Sequence, residues 1–269
     1  MVYLGGFILA ATAAVVSHRL KLLTNGGAFV AFLMGWIVFS LGQLPFSVPI
    51  VFFFVSSNLL SKINHIQKSK LNIFSNEMNQ RDWFQVFANG FVPTILIMVW
   101  GFKHDGRVVF LYLTALASAT SDTWASEIGI LSHKKPRSII SFKPAEAGSS
   151  GGVTLLGFSG AAFGSFFLAI IGGWIFYHLA HINFTWKHIF LIFAIGVFSQ
   201  TVDSILGAGL QAKFRCPVCQ KIVEKPIHQG HGQAHCVAGL SWMNNSMVNL
   251  LSIIIGTLAG WLSLGTMQQ

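Results

Sequence analysis

The stretch VVFLYLTALASATSDTWASEIG, residues 108–129, decides the fold class because it is apolar where it begins and polar where it ends. Its first nine residues suit a lipid bilayer, yet its second half carries the carboxylates of Asp122 and Glu127 among several hydroxyl groups. An ionisable side chain at bilayer depth is costly unless it is paired, hydrated or bound to a metal. These acids are therefore candidate functional residues. The alternative is a buried pair, or a carboxyl group that stays neutral.

Apolar segments recur along the whole chain of 269 residues, of which 53% are hydrophobic and 9% are charged. They are continuous runs of about twenty residues, a length that predicts membrane-spanning helices rather than the shorter alternating strands of a barrel. The sequence therefore predicts one all-α integral-membrane domain over residues 1–269, a polytopic transmembrane helical bundle of about eight spans. The predicted spans are 1–16, 26–42, 46–61, 83–102, 108–131, 152–178, 188–210 and 244–264.

The basic residues predict how this bundle is oriented. Of the 17 Lys and Arg, fourteen fall in loops on one side of the predicted bundle and three on the other. The positive-inside rule then places the N-terminus and the C-terminus outside a cell membrane, with the basic loops in the cytoplasm. Orientation and phosphate binding account for the net charge of +9, so no nucleic-acid partner is expected. No basic residue precedes the first apolar run, and no cleavable signal is expected.

The sequence also predicts the structure of two segments that connect the spans. The second and third predicted spans are short and joined by GQLPFS, residues 42–47, which could make them a hairpin or a re-entrant pair. Residues 61–82 are weakly amphipathic, and we expect them to lie on the membrane surface and shape the access of a substrate.

A second acid occurs in a setting like that of Asp122. The segments SATSDT, residues 118–123, and SQTVDS, residues 199–204, share the pattern S-x-T-x-D-[ST]. They end two predicted helices that point the same way, so Asp122 and Asp203 should lie near the cytoplasmic end and could hold one cation. Carboxylate oxygens favour Mg²⁺. Glu127 is five residues from Asp122, about 140° around an ideal helix, and ranks below the two aspartates as a catalytic residue.

The loop SHKKPRSIISFKPAEAGSSGG, residues 132–152, follows the first acid-bearing span. It holds four cations and one acid, and its Gly/Ser cluster directly precedes a predicted helix, whose N-terminus can bind anions. By itself the loop could be only a basic, flexible connection. Together with acids that can hold a divalent cation, it predicts a cytoplasmic phosphate-binding loop suited to phosphoryl transfer.

All three cysteines lie in a second predicted cytoplasmic loop, residues 212–242. The CPVC motif carries Cys216 and Cys219 at a spacing typical of a zinc knuckle. A cytoplasmic location disfavours a disulfide. The other two ligands could come from His228 and His231, or from His235 and Cys236. The alternative is three unligated thiols beside chance histidines.

Several motifs together resemble a known family. They are ASATSDTWASEIG (117–129), PRSIISFKPAEAGSSGGVTLLG (136–157), and VDSILGAGLQ (202–211) followed by CPVC. In this order they resemble the integral-membrane phytyl-phosphate kinases and their bacterial, archaeal and animal membrane relatives. The resemblance includes RDWFQVFANGFVP (81–93) and WMNNSMVNLLS (242–252). In the last motif, Ser246 stands where relatives tend to carry an acid.

This resemblance implies that the γ-phosphoryl group of a nucleoside triphosphate, CTP, is transferred to an isoprenoid alcohol monophosphate to give the diphosphate. A more distant similarity to CDP-diacylglycerol synthases and polyprenol kinases implies that Asp122 and Asp203 bind Mg²⁺. It also implies phosphate contacts from the 132–152 loop. The candidate nucleotide- or phosphate-binding residues are Arg137, Lys143, Ser149, Gly151, Gly152 and Asn89, although Asn89 is as well explained as a cap at a helix break.

A cation- or proton-coupled transporter or lipid flippase is the alternative function, because paired acids on neighbouring helices also suit ion coupling. The polar residues open only toward the predicted cytoplasmic side, which favours the enzyme. The spacing of Gly160 and Gly164 indicates close helix packing, and a homodimer is left open.

Overall fold

The computed structural model describes residues 2–64, 80–228 and 231–265. These ranges contain eight α-helices. The all-α prediction is confirmed there, apart from short strands in two loops. Most of the predicted surface segment 61–82 lies outside the described ranges. The helices are α1 Val2–Arg19, α2 Asn25–Ile37, α3 Gln43–Ile63, α4 Trp83–Lys103, α5 Gly106–Gly129, α6 Leu155–Ala180, α7 Trp186–Gly209 and α8 Asn245–Gly265.

Six helical segments of the described chain are long and apolar enough to cross a membrane, by length and composition alone. Residues 25–63 count as one of these, a run of 39 residues, and α5 is not among them. Each helix overlaps one predicted span, so the positions of the segments follow the sequence closely. The described chain has eight helices but six candidate spans, because α2 and α3 are counted as one run and α5 is not apolar enough to be counted.

The run from α2 to α3 is bent in its middle. Val38–Gly42 form a π-helical turn, and Gln43 has a positive φ of 50°, which redirects the chain. Helix α2 packs on α1 and α4, whereas α3 packs on α5 and α6. The two helices therefore diverge and do not pair along their length, so the hairpin alternative is wrong.

Helix α5 is the centre of the bundle, with contacts to α3, α4, α6, α7 and α8. Every residue from Val108 to Ser121 is buried. Near its start, the Tyr112 hydroxyl donates a 2.5 Å hydrogen bond to the backbone oxygen of Phe46, and the two rings pack with centroids 4.9 Å apart. Its hydroxyl-rich second half is therefore surrounded by protein.

Small residues let neighbouring helices approach α5 and α7. A Cβ atom on Gly164 of α6 would lie 2.8 Å from Cγ of Trp124, and one on Gly160 would lie 2.7 Å from its backbone oxygen. A Cβ on Gly256 of α8 would lie 2.7 Å from Oγ of Ser118. The Gly160–Gly164 pair thus packs within this chain.

Two loops at one end of the bundle contain short antiparallel strands. In the first, β1 Arg137–Ser138 pairs with β2 Gly152–Val153. In the second, β3 Lys213–Arg215 lies between β4 Ile222–Val223 and β7 His235–Ala238, and β5 Ile227–His228 forms a hairpin with β6 Gly232–Gln233. These are the predicted phosphate-binding loop and the predicted Cys/His loop.

Candidate functional site

A cavity of about 920 Å³ lies where the C-terminal ends of α5 and α7 meet the 132–152 loop and the first residues of α6 and α8. The cavity brings together residues that are far apart in the sequence. Six of the predicted site residues line it: Asp122, Glu127, Ser149, Gly151, Gly152 and Asp203.

The two aspartates face each other across this cavity. Their carboxyl groups lie within hydrogen-bonding distance, with Asp203 buried and Asp122 half-buried. Two carboxylates this close repel each other unless a proton or a cation lies between them. The predicted pairing of the acid-bearing helices is therefore present as a contact.

Helix α8 holds Asp203 from its other side. Ser252 Oγ donates a 3.1 Å hydrogen bond to Oδ2 of Asp203. In the amide orientation that satisfies both partners, Asn249 donates to the same oxygen at 3.2 Å and to the backbone oxygen of Asn245 at 2.8 Å. Asn245 itself lines the cavity. Asn245, Asn249 and Ser252 belong to the WMNNSMVNLLS motif noted from the sequence. The motif alone did not indicate that they contact Asp203 or line its cavity.

Two buried glutamines of the cavity wall have polar atoms without partners. Among the described residues, neither Oε1 of Gln200 nor Nε2 of Gln211 makes a hydrogen bond, and the side chains are 5% and 2% exposed. An unsatisfied buried polar atom costs about 1–3 kcal/mol. These two buried atoms, an acceptor and a donor, are therefore candidate partners for a water molecule or a polar ligand.

Glu127 lines the same cavity and is hydrogen-bonded to the residue that ends α3. Its Oε2 and its backbone oxygen accept hydrogen bonds from Nδ2 of Asn64, at 3.3 and 2.5 Å. Arg81 adds an attractive charge interaction. These contacts fasten the end of α5 to α3, and the lower rank of Glu127 as a catalytic residue stays a prediction.

The predicted cations Arg137 and Lys143 are not among the residues that line the cavity, and their assignment as phosphate contacts stays a prediction. Strand β1 pairs Arg137 with Val153, and its Nη1 donates instead to the backbone oxygen of Phe142 at 3.2 Å. Lys143 lies exposed in the turn that follows β1. Lys134 and Lys135, earlier in the same loop, line the cavity.

The Gly/Ser cluster is a tight turn and not an open row of backbone N–H groups. The N–H groups of Ser149 and Gly152 donate within the turn, to Glu146 and Ser149. Thr154 caps α6 by accepting from the N–H of Gly157 at 2.9 Å. The predicted anion site at this helix N-terminus is therefore largely closed by the chain's own hydrogen bonds.

Gly151 lines the cavity and also has a structural role. It has a φ of +73°, and a Cβ atom there would lie 2.6 Å from the backbone nitrogen and Cα of Ala208. Only glycine allows the loop to approach α7 this closely at that backbone angle. Gly151 therefore positions the 132–152 loop against the helix that carries Asp203.

Asn89 is not among the residues that line the polar cavity, and its role as a phosphate contact stays a prediction. Its Nδ2 donates to the backbone oxygen of Gln85 at 2.9 Å, one turn earlier on α4. Asn89 lines a separate, mostly apolar cavity of about 140 Å³ between α1, α2, α3 and α4. Arg81 is the charged residue among the described lining of that cavity.

The charge of the polar cavity limits what it can bind. Five carboxylates from the described chain line it, against two lysines: Asp122, Glu127, Glu146, Asp203 and Glu224, and Lys134 and Lys135. A free polyphosphate would meet net repulsion in this setting, and a divalent cation held by the carboxylates would reduce that repulsion.

A second cluster lies in the Cys/His loop. The ligand atoms of Cys216, Cys219, His228 and His231 all lie within 4.8 Å of one another. Burial acts to raise the pKa of the Cys216 thiol, but hydrogen bonds from the Cys219 backbone, from His228 and from the backbone of Val218 lower it to about 6. A low pKa favours the thiolate, the form that binds metals.

The similarity of the chain to known proteins agrees with this architecture. The chain belongs to the DUF92 family of integral membrane proteins, whose profile matches residues 8–257. It is therefore a multi-pass membrane protein, and the family resemblance drawn from the motifs is confirmed.

Two relatives align over nearly their whole length. Protein PGR of Arabidopsis thaliana is 30% identical over 92% of this chain and 91% of its own. An uncharacterised membrane protein of Methanocaldococcus jannaschii is 26% identical over 94% of this chain and 90% of its own. No solved structure matches the chain significantly.

Proposed function

We propose that the protein is a membrane phosphotransferase that moves the γ-phosphoryl group of CTP, with Mg²⁺, to an isoprenoid alcohol monophosphate. The observation that carries the proposal is the polar cavity in which Asp122 and Asp203 meet the lysine-bearing 132–152 loop. In the reaction, a phosphate oxygen of the acceptor bonds to the γ-phosphorus. The bond from that phosphorus to the β–γ bridging oxygen breaks, which releases CDP and the lipid diphosphate.

The cavity's oxygen atoms fit a hard divalent cation. The carboxylates of Asp122 and Asp203 are in contact, and Oε1 of Gln200 is buried without a donor in the described chain. These three side chains would hold Mg²⁺, which supplies charge neutralisation on the phosphate oxygens when it is bound. Ser252 and Asn249 keep Asp203 in place by donating to its Oδ2.

Other side chains would orient the phosphates. Lys134 and Lys135 line the cavity as point charges that can neutralise phosphate oxygens, and the unpartnered Nε2 of Gln211 can donate to one of them. Gly151 brings this loop close to α7, so the cations and the carboxylates face one space. The proposal therefore assigns charge neutralisation to Lys134 and Lys135, which line the cavity, rather than to Arg137 and Lys143.

The apolar cavity supports a lipid acceptor. Its lining is mainly Ala, Val and Phe side chains, and its polar members are Ser17, Arg81, Gln85 and Asn89. An apolar chain with an anionic head group is complementary to such a surface. Arg81 attracts Glu127, which lines the polar cavity, so the two cavities are linked through this pair.

The proposal includes a topology. All eight helices cross a cell membrane, both termini lie outside, and the polar cavity opens to the cytoplasm where nucleotides are found. The excess of Lys and Arg in the loops at the cavity end of the bundle supports this orientation.

The direct test is to incubate the purified protein with γ-labelled CTP, Mg²⁺ and a panel of prenyl monophosphates in detergent. We expect label in a lipid diphosphate, dependence on Mg²⁺, and loss of transfer in Asp122→Asn. If CTP binds but no acceptor is labelled under any condition, the phosphotransferase assignment is wrong.

A cation-coupled transporter or flippase is the second candidate, because Asp122 and Asp203 lie in contact on neighbouring helices. The cavity residues come from one end of the bundle, whereas the start of α5, from Val108 onward, is buried and apolar. Ion-driven flux in proteoliposomes without nucleotide would favour the transporter.

A further inference from the structure

The Cys/His loop between α7 and α8 has very little hydrophobic core. Its buried apolar residues are Ala212, Phe214 and Ala234, with Val223 packed partly against them. A unit of about thirty residues with so small a core needs a further source of stability, for which small domains commonly use a metal ion or disulfides. All three cysteines are free thiols, so a metal is the remaining choice.

Two hairpin turns present four ligands to one point. Cys216 and Cys219 lie in the turn between β3 and β4, closed by a 3.0 Å hydrogen bond from the backbone N–H of Gln220 to the oxygen of Cys216. His228 and His231 lie across the turn between β5 and β6. The loop thus supplies two sulfur and two nitrogen ligands, a common set for structural zinc.

The distances agree with a tetrahedral ion. Sγ of Cys216 lies 3.5 Å from Nδ1 of His231, and Sγ of Cys219 lies 3.5 Å from Nδ1 of His228. Zinc–sulfur bonds of about 2.3 Å and zinc–nitrogen bonds of about 2.0–2.1 Å place the two atoms about 3.6 Å apart in a tetrahedron. Two separate thiol–imidazole hydrogen bonds would not require all four atoms to converge within 4.8 Å.

The same loop forms part of the wall of the polar cavity. Glu224 follows β4, between the cysteine pair and the histidine pair, and lines the cavity with Ser150. Its Oε1 accepts a 3.0 Å hydrogen bond from the backbone N–H of Ser150 and another from Oγ of Ser150. An ion that closes the loop between Cys219 and His228 would fix the segment that carries Glu224.

We propose that Cys216, Cys219, His228 and His231 bind one structural Zn²⁺, and that this ion holds Glu224 in contact with Ser150 of the phosphate-binding loop. Four protein ligands leave no open position, so the ion takes no part in chemistry. It links the folding of the Cys/His loop to the shape of the polar cavity.

The first test measures metal content. Protein purified in detergent without added metal should contain about one zinc ion per chain, falling at least about tenfold in Cys216→Ser/Cys219→Ser. His228→Asn/His231→Asn should lose zinc as well. Cys236→Ser and His235→Asn are matched controls from the same loop and should retain it. Equal zinc in wild type and the Cys216/Cys219 double variant would overturn the site, as would loss of zinc in the controls.

The second test measures the contact with Ser150 by hydrogen exchange of the segment 146–153. A chelator that removes zinc from the wild type should speed exchange there, because the backbone N–H of Ser150 loses its acceptor. Glu224→Ala, which removes the acceptor of Ser150 but keeps all four ligands, should speed the same exchange and retain its zinc. Unchanged exchange after zinc removal would show that the ion does not hold this contact. Neither test depends on phosphotransferase activity, so this proposal and the proposed function can fail separately.

Discussion

At the scale of single residues, Asp122 and Asp203 define the polar cavity because their carboxyl groups meet inside it. Asparagine has the same shape but no charge. We expect Asp122→Asn and Asp203→Asn each to lower turnover on the order of a hundredfold or more, because the cation that offsets phosphate charge loses a ligand. Folding should be retained, because removing a charge from a buried carboxylate pair relieves repulsion.

Transfer to a prenyl monophosphate and Mg²⁺-dependent CTP binding are the measurements for this prediction. Asp105→Asn is the matched control: Asp105 caps α5 far from the cavity, and asparagine can replace it as a cap. If both cavity variants fold normally and keep near wild-type activity, the metal-site assignment is refuted.

A second prediction at this scale concerns the close approach of Gly151 to α7. Gly151→Ala puts a Cβ against the Ala208 backbone at a φ of +73°, so the loop must shift away from α7. The expected cost in unfolding free energy is about 1–3 kcal/mol, with weaker CTP binding. Thermal unfolding in detergent would measure the first effect, and a binding titration the second.

Gly209→Ala is the comparison, since a Cβ there would first meet Cδ1 of Ile140 at an ordinary 3.4 Å. It should leave both measurements near wild type. Equal behaviour of the two variants would argue against a close approach at Gly151.

The sequence indicated the acids better than the cations. A carboxylate within an apolar run is visible in the sequence, and its burial could be argued from cost alone. Which of the loop's four cations faces the cavity depends on the pairing of β1 with β2, which turns Arg137 toward Phe142. That pairing involves two residues per strand and has no recognisable periodicity.

At the scale of elements, the predicted segments match the helices because long apolar runs are strong signals. Their packing partners were not predictable, as the divergence of α2 and α3 illustrates. It follows from a π-helical turn and the positive φ of Gln43, an unfavourable angle for a residue with a side chain. Local composition does not indicate such a bend.

The contact between α5 and α6 gives a prediction at this scale. Gly164→Leu would place a large side chain where even a Cβ lies 2.8 Å from Trp124. We expect the helices to separate, with a loss of several degrees in melting temperature. Gly5→Leu meets open space on α1 and should melt like the wild type. Similar melting of both variants would contradict close packing at Gly164.

At the scale of the whole molecule, the proposed topology can be tested by labelling. Ser141→Cys lies in the 132–152 loop and Asn183→Cys in the turn between α6 and α7, at the other end of the bundle. In a Cys236→Ser background, a membrane-impermeant reagent added to intact cells should label Asn183→Cys only. Tags at the two termini should be reached from the same side as Asn183. Labelling of Ser141→Cys from outside would contradict the proposed orientation and indicate the opposite one.

The enclosure of α5 has a consequence for how the protein is made. This helix is not among the segments apolar enough to cross a membrane by composition alone, and it is surrounded by five other helices. During synthesis it leaves the ribosome before α6, α7 and α8 exist to surround it. Its acids and hydroxyls would then face lipid, which opposes insertion. In the proposed topology, stable insertion of α5 would therefore wait for the later helices, and a chain that stops after Gly129 would leave it with only α3 and α4 of its five partners.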